Sequence, residues 1–376
     1  MTSTGIDELI ADSFKPLIGR RIGLITNHTG IDSRGRSTID ILSEEKTFSL
    51  KRLFSPEHGL RGEVDEPVDN NSDPRTGLSV ISLYGSSMSP SQEDLIDIDT
   101  LVFDIQDVGT RFYTYISTLG LCMEASAKAG KSFLVLDRPN PIGGMMIEGP
   151  LPDSDSLDFT AYHSIPVRHG MTIGEMALLF TAEKGLSIEL SIVRMEGWRR
   201  GDFWDATELL WINPSPNMRS FTQALLYPGI GLLEFTNVSV GRGTDTPFEK
   251  LGAPWIDGRV FASELNRKRL NGIRFIPVRF LPQARQHAGL QCEGVQMLIT
   301  DRDAFHPVLT GLTIAECLRY LYPEAWDMQN FNRLLACKSI FEDVKRGATG
   351  EDIIVSTMRG LEEFLTRMEP HLLYNA

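Results

Sequence analysis

The sequence predicts an α/β protein: an open, mainly parallel sheet followed by a second domain. Three observations carry this. Four short apolar runs, beginning at Ile22, Leu53, Leu101 and Phe133, each end in polar residues: Asn27 and His28; Glu57 and His58; Asp104, Gln106 and Asp107; Asp137, Arg138 and Asn140. Strands of a parallel sheet are buried on both faces and read as such continuous runs, and ligands sit beyond their carboxyl ends. Between the third and fourth runs, residues 115–129 carry apolar side chains at helical spacing and stop at Gly130, completing a strand–helix–strand unit. Finally, 376 residues exceed what one core usually organises, so two domains sharing a cleft are expected.

Taken in chain order, the first run leads into residues 36–45, which can return the chain across a sheet. The second ends in Ser-Pro-Glu57-His58-Gly59, where proline stops the strand and glycine permits a sharp turn. Residues 56–83 show no convincing period, and so long a loop in a compact domain is usually functional. After the third run, the 115–129 helix and the fourth run, residues 171–184 read as a helix. Thr172 caps it, with Glu175 three residues on as a capping box. Residues 188–195 read as another strand. The Pro/Asn-rich passage Asn213-Pro-Ser-Pro-Asn217-Met marks the domain boundary, dividing the chain into 1–212 and 213–376. In the second part, strands are expected at 273–280 and 294–300, and helices at 262–268, 313–321 and 353–368.

Composition narrows the function classes. A formal net charge of −13 opposes general binding to nucleic acid or to an anionic membrane surface. No segment approaches the roughly 18 apolar residues needed to span a bilayer. The first residues lack the basic and apolar regions of a secretory leader. The chain as given therefore reads as cytoplasmic, and as periplasmic or secreted if a leader has been removed. Cys122, Cys292, Cys317 and Cys337 have neither C-x-x-C nor zinc spacing and read as buried free thiols of a reducing compartment. P-loop, dinucleotide-binding, H-E-x-x-H and G-x-S-x-G motifs are all missing.

Candidate chemistry gathers at the strand ends. The carboxylate of Glu57 would project from the sheet edge, where apolar neighbours would raise its pKa as a general acid near neutral pH requires. Pairing with Arg61 or capping a turn is the plainer alternative. Asp104 and Asp107 flank Gln106 ahead of Gly109-Thr-Arg111-Phe-Tyr113-Thr-Tyr115. Their odd spacing puts them on opposite faces of a strand, so one is expected in the site and the other in the framework, without the spacing choosing between them. Asp137-Arg138-Pro-Asn140-Pro is a rigid turn that suits hydroxyl binding and a structural loop equally. In the second part, Glu234 offers a further carboxyl, Asn237 an amide, and Arg242 between two glycines an anion clamp, or all three belong to a solvated helix end. Trp198, Trp204, Trp211 and Trp255 could stack on sugar rings or pack inside. His28, His58 and Asp104 could bind a metal across strand ends.

Several of these motifs occur together in a known family. Phe54-Ser-Pro-Glu-His-Gly-Leu-Arg-Gly62, Val102-Phe-Asp-Ile-Gln-Asp-Val-Gly109 with Arg111-Phe-Tyr-Thr-Tyr115, Leu136-Asp-Arg-Pro-Asn-Pro-Ile-Gly-Gly144, Pro214-Ser-Pro-Asn-Met218 and Gly241-Arg-Gly-Thr244 follow one another in this order. Over about residues 22–312 the chain thereby resembles the NamZ-type exo-β-N-acetylmuramidases of bacteria. The resemblance implies a Rossmann-like domain joined to a smaller α/β domain, with the active site in the cleft between them. It also implies hydrolysis of a terminal, non-reducing β-1,4-linked N-acetylmuramic acid (MurNAc) from peptidoglycan fragments. Two positions depart from the family pattern: Phe235 follows Leu-Leu-Glu where glycine is expected, and Arg219 follows Asn-Met where proline is expected. The sugar subsite near Glu234 and Asn217 is therefore expected to differ.

The resulting expectation is a glycosidase, which needs two carboxyl groups, one protonating the leaving oxygen and one acting as nucleophile or base. Glu57 is the expected acid, with Asp104, Asp107 or Glu234 as its partner. Substrate contacts are expected from Asn27, His58, Gln106, Tyr113, Asp137, Asn140, Asn217, Asn237 and Thr244, and from a positive pocket of Arg61, Arg111, Arg138 and Arg242 facing the lactyl carboxylate. Its partners are peptidoglycan-derived muramyl saccharides, without nucleic acid, membrane insertion, metal or organic cofactor. The rivals are a metal-dependent hydrolase using His28, His58 and Asp104, and a non-catalytic two-domain sugar-binding protein.

Overall fold

Side-chain alternation along the apolar runs builds a sheet buried on both faces. The computed structural model describes residues 2–60, 71–85 and 87–376. Its strands are β1 (Arg21–Thr26), β2 (Ser49–Ser55), β3 (Asn71–Ser72), β4 (Ser79–Ser82), β5 (Thr100–Asp104), β6 (Ser132–Leu136), β7 (Leu190–Val193), β8 (Lys250–Ala253), β9 (Ile273–Phe280) and β10 (Cys292–Ile299). The first seven form one sheet in the order β3-β4-β2-β1-β5-β6-β7. Six of these are parallel, and only β3 runs antiparallel at the edge. Ile25, Phe54, Phe103 and Val135 pack into the core on one face, while Ile22, Leu24, Leu53, Val102 and Leu134 pack into a second core on the other. The order reverses between β1 and β5, where Thr26 pairs with Asp104, so this is the switch point at which a crevice is expected.

The helices are α1 (Gly5–Ala11), α2 (Thr38–Glu44), α3 (Tyr115–Lys128), α4 (Ile173–Lys184), α5 (Phe221–Ile230), α6 (Gly258–Arg267), α7 (Pro307–Leu321), α8 (Asn332–Leu335), α9 (Lys338–Arg346) and α10 (Gly350–Met368). The α4 capping box forms as its sequence requires: Thr172 accepts from the Glu175 amide, and Glu175 accepts from the Thr172 amide. β8, β10 and β9 make the second, antiparallel sheet. One continuous core runs from Ile25 beneath the first sheet to Phe364 and Met368 on α10. All four cysteines are buried and unpaired.

Two glycines set how closely α5 and α7 approach. A Cβ on Gly311 would lie 2.4 Å from the carbonyl oxygen of Gly229, and one on Gly229 would lie 1.9 Å from that of Pro307. Both obstacles are backbone, which cannot swing aside. Gly311→Ala is therefore expected to cost about 1–3 kcal/mol through overpacking, read as a lowered urea midpoint, whereas Gly201→Ala, with open space around it, should cost far less.

Some elements escape the sequence pattern. The 56–83 stretch contains β3 and the β2-paired strand β4, too short to show a period. α5 contains Pro228, a residue that normally argues against a helix interior. The chain end returns to the first sheet: Tyr374 donates to Asp137 at 2.7 Å, and the Leu373 amide donates to Glu175 at 2.9 Å.

Glu148 joins the α7 start to the loop after β6, accepting from the Val308 amide at 3.0 Å and pairing with His306. The hydrogen bond to Glu148 raises the His306 pKa. A raised pKa in the folded state means the clip is fully engaged below the ordinary imidazole value of about 6.5 and is lost as pH rises through the raised value. The melting temperature should therefore decline more steeply above pH 6.5 in the wild type than in His306→Gln, and parallel declines would rule the clip out.

Candidate active site

A cleft of about 460 Å³ opens between the carboxyl end of β2 and the loops that precede β8. Its first wall carries Glu57. The Gly59 amide closes a turn on the Pro56 carbonyl at 3.1 Å. His58 and Gly59 are both left-handed, with φ of 73° and 72°, a conformation few non-glycine residues adopt and one often kept where function requires it. The reversal carries Glu57 off the strand onto the cleft wall, where the Thr114 hydroxyl donates to its Oε2 at 2.5 Å. Asp158 adds a second carboxylate to the cleft lining, accepting from the Thr160 amide and hydroxyl at 2.7 Å each.

The floor is aromatic and comes from both parts of the chain. Tyr227 on α5 meets Phe112 edge-on at 5.1 Å, Tyr113 at 6.0 Å and Phe248 at 4.7 Å. Burial raises the pKa of the Tyr113 and Tyr227 hydroxyls, so both remain neutral donors at any physiological pH. The far wall holds Asn217, Glu234, Phe235, Arg242, Arg285 and Arg333. Glu234 ends a helical turn and is ion-paired with Arg242.

The structure thus gathers Glu57, His58, Tyr113, Asn217, Glu234 and Arg242 in one cleft. The other predicted residues lie elsewhere, and Arg61 falls outside the described residues. Asp104 is not a cleft acid: fully buried, it receives Arg138 Nε at 2.6 Å, Arg138 Nη2 at 2.9 Å and the Thr38 hydroxyl. Arg138 is likewise occupied. Asp107 sits behind the floor, accepting from the Gly109 amide at 2.7 Å with His169 Nε2 at 3.6 Å. Asp137 accepts from the Arg138 and Gly174 amides and the Thr172 and Tyr374 hydroxyls, and burial pushes its pKa up to about 6.

Nor is Arg111 an anion clamp. It is buried without a carboxylate, its charge met by the carbonyls of Pro150, Ile165, Leu334 and Leu335, and its pKa falls to about 10 through desolvation. Asn27 bridges Tyr115 and Thr29. Gln106 bonds the Asp107 and Pro139 carbonyls, and Asn140 the Met171 carbonyl. Asn237 holds Ala325 and Asp327, and Thr244 closes a turn on Gly241. For those that follow the buried strands β1, β5 and β6 the physical reason is shared: a polar side chain there is desolvated unless a neighbouring loop satisfies it, and here the neighbouring loops do; Asn237 and Thr244 are instead half-buried loop residues.

The proposed metal triad is not assembled either. His28 Nε2 lies 2.6 Å from the Asn213 carbonyl, and Asp104 is closed by Arg138. Among the described residues, no three His, Cys, Asp or Glu side chains group to hold a metal. Trp198 and Trp204 are buried, and none of the four tryptophans lines the cleft. Sequence reasoning missed Asp158, Arg285 and Arg333, which lie outside any strand-end pattern. Thr114 was within reach, since it stands inside the Arg111-Phe-Tyr-Thr-Tyr115 motif.

Comparison with known proteins agrees with this architecture. The model of the N-terminal part of exo-β-N-acetylmuramidase NamZ matches residues 22–222, and that of its C-terminal part matches residues 225–374. The chain belongs to the NamZ family. The peptidoglycan β-N-acetylmuramidase NamZ of Bacillus subtilis (strain 168) is 43% identical over 99% of this chain and 91% of its own length. Two crystal structures of DUF1343 family proteins from Bacteroides fragilis NCTC 9343 superpose with TM-scores of 0.94 and 0.81, at 37% and 28% identity. Each alignment covers 100% of this chain and 99% of the neighbour. The NamZ relationship therefore spans both sheets and both walls of the cleft, and the family carries a glycosidase activity.

Proposed function

We propose that this protein is an exo-acting glycosidase that releases terminal, non-reducing β-1,4-linked MurNAc from peptidoglycan fragments. The observation that carries the reading is the full-length relationship to a protein named as a peptidoglycan β-N-acetylmuramidase, together with a cleft that brings carboxyl groups from both parts of the chain onto one aromatic floor. Residues 1–212 supply Glu57 and residues 213–376 supply Glu234, so the two parts complete the site between them.

In this reading Glu57 protonates the glycosidic oxygen as the bond to the anomeric carbon breaks. Glu234, with Arg242 as countercharge, is the partner that meets the developing positive charge at that carbon or activates the attacking water. His58, Asn217 and the floor tyrosines supply hydroxyl and amide contacts to the sugar. Among the described residues no helix is long and apolar enough to cross a membrane, and the four unpaired thiols support a reducing compartment.

The test is incubation with the MurNAc-β-1,4-GlcNAc disaccharide (GlcNAc, N-acetylglucosamine). Free MurNAc and GlcNAc should appear in equal amounts. Release of MurNAc from chain interiors, or no release at all, would defeat the exo-muramidase reading. Loss of activity on chelation with recovery on adding zinc would instead favour the metal-dependent rival.

A further inference from the structure

We propose that Arg333, seated on the ring of Phe235, binds the carboxylate of the lactyl ether and so selects muramic acid at the terminal position. This rests on the muramidase reading and names the group within the cleft that reads its substrate. Arg333 lines the cleft and is exposed. Among the described residues no carboxylate pairs with it; its guanidinium carbon lies instead 5.2 Å from the centroid of Phe235, itself 43% exposed. A guanidinium resting on a ring face is steadied there, while the N–H fork at its edge stays available to a planar, bidentate carboxylate.

Of the four arginines expected from the sequence, Arg61 lies outside the described residues and the other three are already engaged. Arg111 and Arg138 are buried and spend their donors on carbonyls and on Asp104, and Arg242 is tied to Glu234. Arg111 has a consequence for Arg333. Its Nη2 holds the Leu334 and Leu335 carbonyls at 2.7 and 2.8 Å, so the short helix carrying Arg333 is anchored from inside although Arg333 itself is exposed. The cleft is also polarised, with Glu57 and Asp158 from the first part facing a second-part wall where Arg242, Arg285 and Arg333 outnumber the one carboxylate, Glu234. A sugar with one carboxylate is drawn in with that group toward the arginines and away from Glu57.

The experiment measures kcat and KM for the wild type, Arg333→Ala, Arg333→Lys and Phe235→Ala on MurNAc-GlcNAc and on its neutral lactyl methyl ester. For Arg333→Ala, kcat/KM on the free acid should fall roughly 10- to 150-fold, the scale of a lost charge-assisted hydrogen bond, with little change on the ester; Arg333→Lys should recover part of the loss. Phe235→Ala should raise KM on the acid by a smaller factor, about 2- to 5-fold, and by less on the ester, because the ring acts on the lactyl group through the cation it positions. Equal losses on acid and ester, or no loss, would overturn the proposal. So would a loss confined to a muramyl-peptide substrate, whose lactyl carboxyl is an amide and whose carboxylates lie on the peptide. If the wild type releases no MurNAc, the muramidase reading fails by itself. Calorimetric binding of free MurNAc against GlcNAc then decides for Arg333: a preference lost in Arg333→Ala supports it, and no preference in the wild type refutes it.

Discussion

Glu57→Gln is expected to lower turnover of MurNAc-GlcNAc by roughly 10²- to 10⁴-fold, the range over which a positioned general acid acts, with KM little changed. Glutamine keeps the size of the side chain, and its amide oxygen can still accept from the Thr114 hydroxyl that now meets Oε2. The turn with His58 and Gly59 is untouched. What disappears is the transferable proton. An aryl glycoside of MurNAc, whose leaving group departs without protonation, should therefore lose far less. Equal losses on the two substrates would assign Glu57 to the framework, and near-normal turnover of the disaccharide would remove it from the mechanism.

Arg138→Ala should produce the largest loss of stability, about 3–5 kcal/mol, the cost of breaking a buried ion pair by removing one partner. The Asp104 carboxylate would keep only the Thr38 hydroxyl, in a place with no access to water. Adding Asp104→Asn in the same chain should recover part of the loss by removing the stranded charge. The measurement is the urea midpoint together with kcat per folded molecule. The Asp104 assignment predicts a large shift in the first and little in the second for Asp104→Asn alone. A 100-fold fall in kcat with the midpoint preserved would return Asp104 to the chemistry.

These two residues show why strand-end carboxylates that look alike in sequence part company in space. Glu57 follows a proline and precedes two left-handed residues, so its backbone leaves the sheet and takes the side chain to the cleft wall. Asp104 is the last residue of β5 itself, between β1 and β6. Its side chain has nowhere to go except against the Arg138 guanidinium. Asp137 meets a similar end at β6, where the α4 start and the C-terminal Tyr374 enclose it. Proximity to a strand end singled out the β2 loop that reaches the cleft and equally the β1, β5 and β6 ends that do not, because it carries no information on what packs over them.

Local patterning was enough to read the parallel sheet, because burial on both faces demands unbroken apolar runs, and the α4 cap, because its hydrogen bonds close within three residues. It also marked the turn, written locally in Ser-Pro-Glu-His-Gly, that carries Glu57 to the cleft wall. Which polar residues line the cleft was settled by tertiary packing. Arg111 and Arg333 were indistinguishable as charges until packing placed one among four carbonyls and the other on an aromatic ring at the cleft edge. Secondary structure follows from interactions between near neighbours in the chain; solvation of a charge depends on residues hundreds of positions away, as the contact between Arg111 and Leu335 shows.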